Sequence, residues 1–160
     1  MMKTAAFTVY LFILTLVLAG TVLGEEITAQ TGVRFKTANL VINTNNRPLA
    51  AYQVELLYDR ERVTIVGLEG GAIDGFDEPP FFDRIGLEGG RIILAAFILD
   101  DSKAPQGKIC VSRIHLRVAG AQPIVLSTRV ITAAKPGGDS INISAEVVIV
   151  ETDTSANSSN

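Results

Sequence analysis

Residues 49–66, LAAYQVELLYDRERVTIV, decide the fold class. Tyr52, Val54, Leu56 and Tyr58 alternate with Gln53, Glu55 and Leu57, the two-residue period of a strand with one buried face. Asp59 follows, and its short carboxylate is suited to start a turn by accepting a hydrogen bond from the backbone two residues on. Val63, Thr64, Ile65 and Val66 then resume a β-branched run, which favours a second strand. Strand, tight turn and strand make this segment a unit of an all-β protein.

Similar signals recur on both sides of it. Val33 to Lys36 and Asn39 to Thr44 read as opening strands, closed by the turn Asn45-Asn46-Arg47-Pro48. Arg91 to Asp100, RIILAAFILD, is apolar on both alternations. That pattern predicts a central strand covered on both sides, or one whose outer face is occupied by something else. Lys108 to Val118 alternates, with Ile114, Leu116 and Val118 on one face and Arg113, His115 and Arg117 on the other. Pro123 to Ala134 and Ile141 to Glu151 supply the last strands, separated by the turn Lys135-Pro136-Gly137-Gly138-Asp139. An apolar helical period extends over three turns only in the first two dozen residues. The fold class predicted is a two-sheet sandwich.

The N-terminus reads as a secretory signal. Lys3 precedes an almost wholly apolar run from Ala5 to Leu18, and Val22 and Gly24 stand at the −3 and −1 positions before Glu25. Gly20 and Gly24 break a helix and favour cleavage over a retained anchor. Thr21 occupies the place a lipidated cysteine would need after Leu18-Ala19-Gly20. The expected organisation is a signal peptide over 1–24, a β-sandwich over 25–150 and a disordered polar tail, ETDTSANSSN, over 151–160. Localisation is expected to be secreted, periplasmic or at the cell envelope, with no membrane contact after cleavage.

Removing Lys3 from the 14 basic residues leaves 13 against 17 acidic ones. Such a balance argues against a nucleic-acid partner, which requires a basic footprint. Cys110 is the only cysteine, so the monomer has no internal disulfide. A small exported domain without one points to a bacterial source.

Taken together, LAAYQVELLYD, GRIILAAFILDD and GKICVSRIHLRVAG resemble the cohesin domains and the related carbohydrate-binding-module sandwiches, over residues 30 to 150. The resemblance implies a jelly-roll sandwich of about nine strands and no catalytic activity; no cofactor is expected. It also implies an extracellular protein partner, with polysaccharide as the alternative; a structural envelope or matrix role is a rival of a different class. Cohesins bind dockerin modules through one sheet face, often with an acidic residue on the strand before the Tyr-Asp pair; here that position holds Gln53. Cohesins also usually have Pro after that pair, where this chain has Arg60. The duplicated Asp-x-Asn-x-Asp-Gly calcium loops of dockerins are absent from the sequence, so this is not the partner half.

Gly67-Leu68-Glu69-Gly70-Gly71 recurs as Gly86-Leu87-Glu88-Gly89-Gly90. Between the copies, Asp74, Asp77, Glu78 and Asp83 are interspersed with Phe76, Phe81 and Phe82. As a binding loop, these aromatics supply apolar area and the acids orient a polar or cationic partner. As a crossover between sheets, the same Phe side chains plug the end of the sandwich. The acids lack the close alternation of a calcium loop. The Gly-Gly pairs are expected to form positive-φ turns beside the loop.

Catalytic arrangements find little support. The single histidine, His115, lies at odd separations from Ser112 and Cys110, across a regular strand. Glu69 and Glu88 are the one carboxylate pair that glycoside chemistry could use, and both adjoin Gly-Gly turns. There is no Trp, and Tyr52 and Tyr58 fall on an apolar face, which disfavours a glycan platform.

Overall fold

The computed structural model describes residues 32–150; the signal-peptide and tail expectations lie outside them. Eight strands appear in chain order: β1 (Val33–Asn43), β2 (Ala51–Tyr58), β3 (Val63–Gly70), β4 (Phe81–Phe82), β5 (Arg91–Phe97), β6 (Lys108–Ala119), β7 (Leu126–Ala134) and β8 (Ser144–Val150). They form two four-stranded sheets, β3-β6-β1-β8 and β4-β5-β2-β7, in which every pair is antiparallel. The described residues hold eight strands against the about nine implied by the resemblance; the two opening segments join into one, and the two-residue β4 is added. Thr37 and Ala38 continue the ladder to His115 and Ile114 without a break, Thr37 being β-branched and Ala38 buried in the core.

The turn after β2 forms as its chemistry dictates. Asp59 Oδ1 accepts from the Glu61 amide at 3.0 Å, and the Asp59 carbonyl accepts from Val63 at 2.8 Å. Asn45 and Asn46 close β1 with φ of 53° and 58°, a conformation Asn tolerates better than most residues. The Lys135–Asp139 turn is closed by a Gly138 amide to Lys135 carbonyl bond of 3.0 Å and a Lys135–Asp139 ion pair of 2.9 Å.

The core lies between the sheets. Tyr52, Val54 and Leu56 of β2 and Ile92 and Leu94 of β5 face Ala38, Leu40 and Ile42 of β1 and Ile114, Leu116 and Val118 of β6, all buried. Each of the larger of these side chains contributes about 1.5–3 kcal/mol when fully buried. A register shift opposite Leu40 and Val41 leaves both Val111 and Ser112 of β6 buried. Ser112 Oγ there donates to the Glu69 carbonyl at 2.8 Å.

The segment between β3 and β4 crosses from the first sheet to the second, and Phe76 closes the core beneath it. Phe76 is 1% exposed, and its ring meets Tyr52 edge-on at 5.4 Å between centroids, a geometry aromatic pairs favour. This corrects the expectation that Phe76 offers binding area: its chemistry is spent inside the molecule. The expected positive-φ turns are also corrected in part. Of the two Gly-Gly pairs only Gly90 has positive φ, at 73°. Gly70 and Gly71 are required for close approach, because a Cβ at Gly70 would lie 1.8 Å from the Asp77 carbonyl oxygen and one at Gly71 2.1 Å from that of Cys110. The second copy of the repeat forms a 3₁₀ turn, Ile85–Glu88, so the echo in sequence is not an echo in structure.

Tyr58 Oη donates to the Leu87 carbonyl at 2.6 Å and ties the end of β2 to that 3₁₀ turn. Tyr52 Oη, by contrast, is buried without a hydrogen-bond partner among the described residues. Burial first, and then the neighbouring Cys110, push its phenol pKa upward, because an ionised oxygen there would lose its hydration.

Two substitutions test this packing. Phe76→Ala is expected to lower unfolding free energy by about 3–5 kcal/mol through the cavity it leaves. Tyr52→Phe removes an unsatisfied hydroxyl and keeps the ring, so it is expected to be neutral or to stabilise by up to about 1 kcal/mol. Urea denaturation of both variants checks the pair; a strongly destabilised Tyr52→Phe would show that the hydroxyl is satisfied in solution.

Candidate binding face

The outer face of β4-β5-β2-β7 combines apolar and charged residues in four successive rungs. Phe97, Ala51 and Ala134 align in the first. Phe81, Ala95, Gln53 and Thr132 align in the second. Ile93, Glu55 and Arg129 form the third, and Arg91, Leu57 and Ser127 the fourth. A strand's side chains point alternately to its two faces, so the buried alternation of β2 obliges Gln53, Glu55 and Leu57 to line this one.

The upper rungs are apolar and open. Phe81 and Phe97 are 68% and 55% exposed, and their rings lie parallel, 8° between planes and 6.0 Å between centroids. Beside them is a shallow hollow of about 160 Å³ lined by Ala51, Ala95, Ala134, Gln53 and Thr132 as well as the two rings. Small side chains make the floor, and the phenyl rings make a wall. The shift in pairing between β2 and β7 after Gln53 leaves Ile131 as an extra, exposed residue, a β-bulge on the edge strand. Of the two readings for Arg91 to Asp100, coverage on both sides by described residues does not hold. Ile92 and Leu94 turn inward, while Phe97 stands on a face that no described residue covers.

The lower rungs are held by one carboxylate and two guanidinium groups. Glu55 is 3% exposed although it lies on the outer face, because Arg91 and Arg129 fold over it from either side. Arg91 Nε donates to Glu55 Oε1, and Arg129 Nε donates to Glu55 Oε2 at 2.8 Å. The Arg129 bond first, and then the Arg91 bond, hold the Glu55 carboxyl below its ordinary value of 4.5, and Glu55 in turn raises the pKa of Arg129. Charged donors on both oxygens favour the ionised form.

The acidic loop occupies a different place. Asp77 Oδ1 accepts from the Gly75 amide at 3.1 Å and Asp83 Oδ1 from the Ile85 amide at 2.9 Å, so both shape their own turns. Asp74 and Glu78 are exposed. Phe82 is turned away from Phe81 and lines a separate hollow of about 270 Å³ with Ile65, Val66, Leu68, Arg84 and Leu87. Among the described residues no group of three or more His, Cys, Asp or Glu side chains is gathered for a metal ion. Of the loop's seven sequence candidates, Phe81 alone joins the open sheet face. Phe97, Arg91, Glu55 and Arg129 complete that face, and sequence reasoning did not assign them to it.

On the opposite sheet the basic stripe is partly neutralised. Glu69 of β3 lies 3.5 Å from Arg113 Nη1. Its other oxygen is 3.0 Å from His115 Nε2, within ion-pair reach though off the line of a hydrogen bond. Glu69 is thus engaged by β6.

Solved structures share this fold. The fold is cohesin-like. The seventh ScaB type I cohesin from Pseudobacteroides cellulosolvens superposes with a TM-score of 0.53 at 12% identity, covering 81% of this chain and 90% of its own. A non-cellulosomal cohesin from the hyperthermophilic archaeon Archaeoglobus fulgidus gives 0.51 at 13%, covering 80% and 87%. A chain of a type I cohesin–dockerin complex from Clostridium thermocellum gives 0.50 at 10%, covering 66% and 91%. No protein-family model and no curated protein matches the sequence. At such identities the likeness concerns the fold.

The buried carboxylate gives a signed pH prediction. Glu55 has a depressed pKa in the folded state, so its contribution to stability is complete above the ordinary carboxylate range and is lost as pH falls through the lower, folded value. The difference in melting temperature between wild type and Glu55→Gln is therefore expected to be largest near neutrality and to close on acidification below 4.5. Thermal melts across that range check it; a difference constant with pH would remove the ion triad as its source.

Proposed function

We propose that this chain is an exported, non-catalytic protein-binding module of cohesin type, and that it engages its partner with the outer face of β4-β5-β2-β7. The observation that carries the proposal is the exposed Phe81–Phe97 pair beside an alanine floor on a face that no described residue covers. Isolated exposed apolar residues are common on monomers, but a contiguous aromatic patch rimmed by polar and charged groups marks an interaction site. The cohesin-like fold supports a protein as the occupant, since one neighbour comes from a cohesin–dockerin complex. Export is supported by the signal-like residues 1–24. A bacterial envelope or extracellular location follows from the same reading.

Polysaccharide is the second reading, in keeping with the proposed kinship to carbohydrate-binding modules. The parallel Phe81 and Phe97 rings favour it, because flat aromatic surfaces stack on sugar rings. Phenyl groups bring no hydrogen-bond donor of their own, and Gln53 and Thr132 are the polar side chains beside them. The protein reading accounts better for the charged lower half of the face.

Calorimetric titration of residues 25–160 with a panel of dockerin modules, alongside pull-down on insoluble polysaccharides, tests the proposal. At least one dockerin is expected to bind, with affinity falling by about tenfold or more when Phe81 and Phe97 are both replaced by Ser, a loss in the range of central interface anchors. Retention on polysaccharide, abolished by the same double change, with no dockerin bound, would favour the second reading. A self-associated domain by size-exclusion chromatography at micromolar concentration, losing that association with the same change, would assign the face to assembly between copies.

A further inference from the structure

We infer that the lower half of this face is built to receive an anionic side chain, so that the partner presents an Asp or Glu beside an apolar residue. This deepens the reading of the face as a protein-binding surface and rests on it.

The geometry of Glu55, Arg91 and Arg129 carries the inference. Each arginine uses Nε to hold Glu55, which leaves its Nη atoms without a protein partner among the described residues. The arginine side chains are 56% and 66% exposed, against 3% for Glu55. The buried acid therefore orients two guanidinium groups whose remaining donors are directed to solvent. Two cations over one anion also leave a net positive charge at this spot, although the chain as a whole carries −3. A carboxylate can accept two parallel N–H bonds from one guanidinium, and a preordered guanidinium loses less side-chain entropy when it binds.

The other groups on the face agree in sign. Gln53, Thr132 and Ser127 are neutral, as are Phe81, Ala95, Ile93 and Leu57, so no second acid on these rungs opposes an incoming carboxylate. The charged rung lies two residues along β2 from the Gln53 rung, about 6.8 Å at the usual strand rise. Four residues of a helix separate side chains by a similar distance, about 6 Å. An amphipathic helix bearing an acid four residues from a Leu or Phe matches both halves together. The open face of a sheet offers side chains and no free ladder positions, so it suits a helix laid across it better than an added strand.

The test is selection of a displayed library of amphipathic helical peptides, with the apolar face held constant and the polar positions randomised, on folded residues 25–160. Selected peptides are expected to carry Asp or Glu one turn from the apolar anchor, and their affinity is expected to fall as salt is raised. Combined Glu55→Gln, Arg91→Gln and Arg129→Gln changes, which leave no unpaired buried charge, are expected to weaken binding by about tenfold. Glu55→Gln alone releases the two guanidinium groups from their anchor and is expected to weaken binding severalfold while the salt dependence, set by the arginine charges, persists. Thermal melts establish that each variant is folded. Peptides that need Phe81 and Phe97 but are neutral or basic, and are indifferent to the triple change, would overturn the anionic inference and leave the protein-binding face standing. Peptides indifferent to Phe81 and Phe97, or no selected peptide at all, would overturn both.

Discussion

Strand β2 is the constraint on which the rest of the molecule depends. It is paired on both sides, to β5 and to β7, so neither edge is free to shift without breaking two ladders. Its two-residue side-chain period then divides the molecule. Tyr52, Val54, Leu56 and Tyr58 go to the core, and Gln53, Glu55 and Leu57 go to the outer face. A slip of one residue would bury Gln53 and a carboxylate between the sheets and expose two tyrosines. The cost of burying an unpaired charge makes that register inaccessible.

The same division explains how a core and an open apolar surface coexist in one sheet. Phe76 and Tyr52 close the interior by an edge-to-face contact, while Phe81, five residues later, stands on the opposite side of the sheet beside Phe97. The short β4 edge brings Phe81 to the ladder next to Ala95. The crossover loop is thus both a plug and a support for the face. Its acids do local work in turns, and Gly70 and Gly71 let it pack against the strand ends without a Cβ in the way.

Glu55 shows how a buried charge can be tolerated on such a surface. Its two oxygens each receive a charged donor, and the arginines that satisfy it keep their outer nitrogens in water. Ion pairs of this kind are a weak argument for stability in general. Their value here lies in position, since they hold two long side chains at a defined place next to an exposed aromatic pair.

The alternation of residues 49–66, the Asp59 turn and the paired Asn residues after β1 were legible in the sequence because their causes are local: side-chain period, a short carboxylate and tolerance of positive φ. So were the all-β class and the cohesin-like resemblance. The apolar character of both alternations of residues 91–100 was legible too, but not which side stayed open, because that depends on what the rest of the chain covers. The loop residues 74–83 could be singled out by composition, yet only packing separates Phe76 inside from Phe81 outside. The Glu55–Arg129 bond joins residues 74 positions apart, and no local pattern announces it. Local chemistry determined the strands and turns; the candidate face was decided by tertiary structure, because it is assembled from four strands whose adjacency exists only once the sheet has formed.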